Sequence, residues 1–428
     1  MKQSSPWLDR VTWIVGITTT IGMASQSAVS WIVDALIKSA GMSVQDASLM
    51  AMVELVVMGA TMLLLAPVIH RLPHKALVLA GVAGALAAQG LSSAVHGVLP
   101  MGAFRAMSGI AFGAIYAVAA VSGAAAESPE RAYATGASIN MVLGMGLNPP
   151  LGFGSEHGGY VGVFGALAAY CLLLALPLVF IRFPQSRKPR TAALQGQPQQ
   201  ALELAAHGAS PQAPASRPPG TPSPRHRMRP VGVLLVMGLF ALATNGVFVF
   251  FVSIAGGVGL SGTELGTELI LVSGGAALGI ALAGPAGQWI GRRFRGLDGA
   301  WRGTPIFLSM IAMGAGCAAL VDSPSAVMFL ALFTLWCIIY WIAYTFILGL
   351  AVAVDSHGRL AAAAGAVLVL LNGLGSAVGG YFEAHFGGHR FGLVALLACS
   401  VGGIVGLLLE RSLERRGSLS SAPAVHVQ

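Results

Sequence analysis

Three ionisable side chains, Asp34, Glu54 and Arg105, fall inside long apolar runs of a 428-residue chain. If those runs lie in hydrocarbon, an arginine there costs at least ~2.5 kcal/mol on insertion scales, so it needs a carboxylate partner or a wet cavity. A cation beside a carboxylate favours the acid's charged form, and burial favours its neutral form. A pair held between these two pulls can bind and release a proton as its surroundings change. Glu54 is the better partner for Arg105, because Asp34 stands late in its run and closer to the headgroups. A structural ion pair that never titrates is the competing reading.

Uncharged polar and aromatic groups inside the runs are the candidates for touching a solute. They are Gln26, Tyr116, Asn140, Asn245, Trp336, Tyr340, Tyr344 and Asn372. Tyr340 and Tyr344 share a helical face, a spacing that serves helix packing as readily as ligand stacking. Glu264 and Glu268 lie at the end of their run, so a permanently charged solute finds little counter-charge beyond the Arg105 group. Met58 with Met62, and Met141 with Met145, have the spacing to hold a soft ion, but flexible packing explains them as well; no metal site is expected. Cys171, Cys317, Cys337 and Cys399 all sit in apolar runs and read as small buried hydrophobes. There is no G-x-x-x-x-G-K loop to cradle a nucleotide and no catalytic constellation. No enzyme activity and no cofactor are expected.

The elements that must position these groups follow from composition. Hydrophobic residues make up 55% of the chain and charged ones 9%, against roughly a quarter charged in soluble domains. Apolar stretches of about 20 residues recur, the length a helix needs to cross ~30 Å of hydrocarbon. The alternation of a membrane β-barrel is missing. The 57 glycines suit helices that approach closely in lipid. Spans are expected near 11–37, 48–69, 76–95, 99–122, 132–154, 160–181, 231–255, 266–290, 304–321, 325–353, 360–383 and 391–410. The first is read as a retained helix, since it is too long for a signal-peptide core.

Of the 24 basic residues, 21 fall on one face of this arrangement, Lys38 and Arg390 on the other, and Arg105 within it. The positive-inside rule then makes both termini cytoplasmic. The net charge of +8 is explained by this bias, and no nucleic acid is implied. The stretch 185–230 is rich in Pro, Gln and Ala without apolar periodicity, and reads as a disordered linker. The expected organisation is a six-helix bundle (1–184), this linker, a second bundle (231–412) and a tail (413–428). The fold class is all-α integral membrane, with twelve transmembrane helices in two pseudo-symmetric bundles.

Three local patterns make the chain resemble the major facilitator superfamily, whose halves enclose a midplane cavity. The family's G-x-L-a-D-r-x-G-r-k loop is similar to Gly284, Gln288, Gly291, Arg292 and Arg293 in the second half. The first half has Ala66, Val68, His70, Arg71, Pro73, His74 and Lys75 at the same spacing. The acidic place holds Gln288 in one loop and His70 in the other, which weakens any charge-based latch there; the basic groups can still cap helix C-termini. The pattern R-x-x-q-G-x-g resembles Arg105, Ser108, Gly109 and Ala111, and in related exporters this arginine is linked to proton movement. The antiporter pattern G-x-x-x-G-P-x-x-G-G is matched in part by Gly144, Asn148, Pro149 and Gly152, with Phe153 in the last place.

What this resemblance implies is a secondary active transporter working by alternating access, with proton-coupled efflux of a small, fairly apolar or amphiphilic solute as the leading expectation. The implied setting is a bacterial inner membrane, with solute, protons and lipids as partners and a monomeric chain. A proton-coupled uptake symporter, or a non-transporting receptor with the same fold, are the alternatives.

Overall fold

Hydrocarbon offers backbone amides no partner, so each apolar run must satisfy its own hydrogen bonds, and a helix does so within one segment. The computed structural model of the protein describes residues 10–124, 129–181, 183, 224–294, 303–355 and 359–420; within them, the side chains at 124, 129–131, 133–134, 224–228, 280–294, 352, 359, 361–362 and 413–420 lie outside the description. The first half holds α1 (Arg10–Lys38), α2 (Val44–Leu65), α3 (His74–Ala94), α4 (Val98–Ala124), α5 (Pro129–Met145) and α6 (Asn148–Phe180). The second holds α7 (Pro224–Phe248), α8 (Phe251–Gly257), α9 (Gly262–Phe294), α10 (Gly303–Val321), α11 (Ala326–Val354), α12 (Arg359–Phe386) and α13 (Gly388–Ser420).

Among the described residues, ten segments are long and apolar enough to cross a bilayer. One of them, Thr135–Phe180, reverses at Gly159 (φ 55°, ψ −140°) and so contains two passes; α9 supplies another, which completes the twelve. A positive φ of this size is cheap for glycine. The reversal is pinned to the end of α1, where the Tyr160 amide donates to Ser39 Oγ at 2.8 Å. The fifth pass is broken between Met145 and Asn148, and the seventh between Phe248 and Phe251.

Helix starts follow local chemistry. Ser43 Oγ accepts from the Asp46 amide, which carries α2 four residues ahead of the expected 48, as a serine N-cap should. Hydroxyls within the spans turn back onto their own helices, as in Thr20 to the Gly16 carbonyl and Thr244 to that of Phe240. Two ends run longer than the apolar pattern. α7 begins at Pro224, inside the stretch expected to be linker, and α13 continues to Ser420. Pro224 suits a first helical position, and Arg229 Nη2 donates to the Ser412 carbonyl at 2.7 Å, tying these two ends together.

Within the halves, α1 packs on α4, α5 and α6, while α7 packs on α12 and α13. Extended contact between the halves runs through α2 with α12 and α6 with α9. These pair a second pass with a fifth pass in both directions, so one approximate twofold relates them. Large apolar side chains such as Leu64, Leu271 and Leu397 stand exposed on the outer surface, the placement that lipid contact requires.

Candidate functional site

The buried charge in the first half is paired. Arg105 Nη1 on α4 donates to Glu54 Oε2 on α2 at 3.2 Å, and the two residues are 0% and 2% exposed. Arg105 Nη2 donates to Gln89 Oε1 and Ser92 Oγ of α3, each at 2.8 Å. Gln89 Nε2 donates to Ser108 Oγ, which donates in turn to Glu54 Oε1; Ser25 of α1 donates to that same oxygen. The ring of Phe164 covers the guanidinium at 4.5 Å. Three helices are thus joined by a ring of hydrogen bonds that runs from the arginine through an amide and a hydroxyl to the carboxylate, and Ser25 ties α1 to it as a fourth. Gly109 makes this possible, since a Cβ there would stand 2.4 Å from the Glu54 carbonyl oxygen. Asp34 belongs to a different group: it pairs with Lys38 at 3.0 Å and accepts from Ser253 Oγ of the other half at 2.7 Å.

A cavity of about 200 Å³ lies where the halves meet. From the first half come Met23, Gln26 and Ser27 of α1; from the second come Thr244, Asn245 and Phe248 of α7, five residues of α11 from Trp336 to Tyr344, and Leu368 and Asn372 of α12. Six expected solute contacts, Gln26, Asn245, Trp336, Tyr340, Tyr344 and Asn372, are therefore on one wall or another. Tyr116 instead packs between α4 and α1 against Gly22, and half-buried Asn140 of α5 does not line this cavity. On α11, the rings of Trp336 and Tyr340 lie 5.6 Å apart and tilted by 31°, and those of Tyr340 and Tyr344 stack at 6.4 Å.

The halves close together at the end marked by Lys38. Besides Asp34 and Ser253, Trp31 of α1 meets Phe251 of α8 edge-on at 6.4 Å, and the Thr263 amide donates to Glu156 at 2.9 Å. The antiporter-like pattern builds part of this seam. A Cβ on Gly152 would come within 2.1 Å of the Gly262 carbonyl oxygen, and the Asn148 and Pro149 backbone packs on Gly266. Asn148 Oδ1 also accepts from Trp31 Nε1 at 3.4 Å, whereas Gly144 has open space around it.

At the other end, Lys75 Nζ donates to the Val179 carbonyl in the last turn of α6 at 2.6 Å, a cation on a helix C-terminus. His70 and Arg71 touch at 3.4 Å in the short 3-10 turn Ile69–Arg71. In the second-half loop, Gly284, Gln288, Gly291, Arg292 and Arg293 lie on α9 with side chains outside the described residues.

The sequence pattern described as Major Facilitator Superfamily matches residues 14–380, through both bundles and the seam between them. The chain belongs to the major facilitator superfamily. It is a multi-pass membrane protein and a secondary transporter of small-molecule solute, not an enzyme. Among solved structures, this major facilitator protein is similar to a bacterial homologue of the human lysosomal transporter Spinster, in an inward-facing and occupied conformation, at 16% identity and TM-score 0.63, over 98% of this chain and 100% of that one. It is also similar to the nucleoside transporter NupG at 12% identity and TM-score 0.59, over 96% and 99%. At such identities the likeness shows the fold alone. No curated protein matches the sequence.

Several parts of the transporter's polar machinery carry only a weak mark in its sequence. Gln89, Ser92 and Ser25 are polar residues in apolar runs, a signal that they need partners, but not which ones. Phe248 and Trp341 read as ordinary apolar-run aromatics, because helical facing is set by packing between the bundles.

Proposed function

We propose that the protein exports a small solute from a bacterial cytoplasm by alternating access, driven by protons that act on Glu54 and Arg105. The observation that carries this reading is the cavity shared by both bundles, beside halves that are fastened together at the Lys38 end. Basic residues concentrate at the opposite end, which by the positive-inside rule is cytoplasmic; on this reading the closed end faces outward, the cavity is reached from inside, and both termini are cytoplasmic. The solved Spinster homologue was likewise captured inward-facing. The chain acts as a monomer among lipids, with the two six-pass bundles as the moving units, joined by the stretch between α6 and α7.

Support for coupling comes from Glu54. As a carboxylate it accepts from Ser25, Ser108 and Arg105, so a proton on it removes the charge that holds α2 to α4. Support for export comes from the antiporter-like pattern lying in the α6 to α9 seam. Proteoliposomes with an imposed proton gradient test the proposal. Solute is expected to move against the direction of proton flow, and Glu54→Gln is expected to abolish the dependence on the gradient while leaving exchange down a solute gradient. Movement with the protons would make the protein an uptake symporter. An absence of flux for every compound tried would favour a receptor.

A further inference from the structure

Resting on the central cavity as the transport site, we infer that its solute is an uncharged molecule with a flat aromatic ring and an amide-like polar edge. None of the lining residues is charged. The adjacent ionised groups, Glu54 and Arg105, neutralise each other and are sealed from the cavity at 2% and 0% exposure. A bare charge brought here would lose its hydration without a counter-ion, a far larger penalty than a neutral polar group meets.

Rings can attract a cation, but cation cages bring aromatic faces in from several sides. In this cavity the rings stand on one side, on α7 and α11, while α1 opposite gives Met23, Gln26 and Ser27. Four of the five lining rings are also roughly aligned: Phe248 to Trp336 differ by 6°, Trp336 to Tyr340 by 31° and Tyr340 to Tyr344 by 11°, while Trp341 stands across them at 82° to Tyr340 and 87° to Tyr344. A ribbon of near-parallel planes favours a flat guest, which can stack or meet the rings edge-on, over a puckered one.

The polar edge is read from hydrogen bonds not made within the protein. Asn245 spends both amide hydrogens on the Asn372 carbonyl and Ser376 Oγ, at 2.6 and 2.8 Å, which leaves its Oδ1 to accept. Gln26 Oε1 is buried with no partner among the described residues, and a buried acceptor is costly to leave unsatisfied. Both want a donor from the guest, as a primary amide or ring N–H supplies. The volume of about 200 Å³ falls below the roughly 300–1,000 Å³ of drug-sized sites, which selects one or two rings over a lipid or a peptide.

Four matched probes test the class: 2-naphthamide, its fully saturated-ring analogue, 2-naphthoate and 2-naphthamidine. Cys337 lines the cavity and is partly exposed, whereas the other cysteines are buried, so its rate of maleimide modification in the purified full chain reports occupancy. The concentration of 2-naphthamide that halves the rate is expected to be at least about fivefold lower than for the other three. Tyr340→Leu and Gln26→Leu are each expected to raise it by about three- to tenfold, the loss of one hydrogen bond or ring contact, with protection measured relative to each variant's own unprotected rate and a single monodisperse gel-filtration peak as the check on folding. Equal or better protection by the saturated, anionic or cationic probe, indifference to both substitutions, or no protection by 2-naphthamide overturns the assignment. Flux separates this from the transport reading: a probe that protects Cys337 but is never carried across proteoliposomes defeats transport alone, and a carried anion or aliphatic solute defeats the class alone.

Discussion

Glu54 and Arg105 stabilise each other only as a pair. Each is buried, and the surrounding hydroxyls and amide are oriented for a negative oxygen facing a positive guanidinium. Removing one partner of such a pair typically costs about 3–5 kcal/mol, because the other charge is stranded, while replacing both can be nearly neutral. Arg105→Ala is therefore expected to lower unfolding stability in detergent by about that amount, and the double change Arg105→Ala with Glu54→Gln to recover most of it. A double variant as unstable as Arg105→Ala alone would show that the arginine acts through packing, by way of Phe164, and not through charge. The need for a partner was legible in the chain, since arginine in an apolar run admits few alternatives. The choice of Glu54 over Asp34 was favoured by depth in the span, whereas Gln89 as the bridge was not, because its role depends on how α3 is rotated about its axis.

Helices here are placed by their small residues, and two glycines with similar tightness do different work. Gly109 sits within one half, against α2; Gly152 sits between the halves, against α9. Gly152→Leu is expected to push α6 from α9 and open the Lys38 end, raising Cys337 modification by an impermeant maleimide from that side several-fold. Gly109→Leu is expected to lower stability without changing which side Cys337 reacts from. Identical behaviour of the two would remove the distinction between bundle and seam. The spans themselves were readable from hydropathy because lipid imposes a length and an apolar surface on every pass. The break before Asn148 and the reversal at Gly159 were less visible, since a Gly- and Pro-rich apolar stretch fits a straight helix and a bent one equally. The early start of α7 was hidden for a related reason: polar residues beyond the bilayer carry no periodic apolar signal even where the helix continues.

At the scale of the whole molecule, the two bundles touch through α2 with α12 and α6 with α9, and enclose the cavity between these seams. Such an interface can rock, because closing one end loosens the other while the cavity stays in place. Asp34 and Ser253, 2.7 Å apart across the closed end, offer the sharpest handle on that motion. The decisive measurement is solute flux through proteoliposomes carrying Asp34→Cys and Ser253→Cys, before and after joining the pair with a short reducible dithiol crosslinker. Flux is expected to stop on crosslinking and return on reduction, with Cys337 reactive throughout from the opposite face. Undiminished flux with the crosslink in place would contradict alternating access through this cavity.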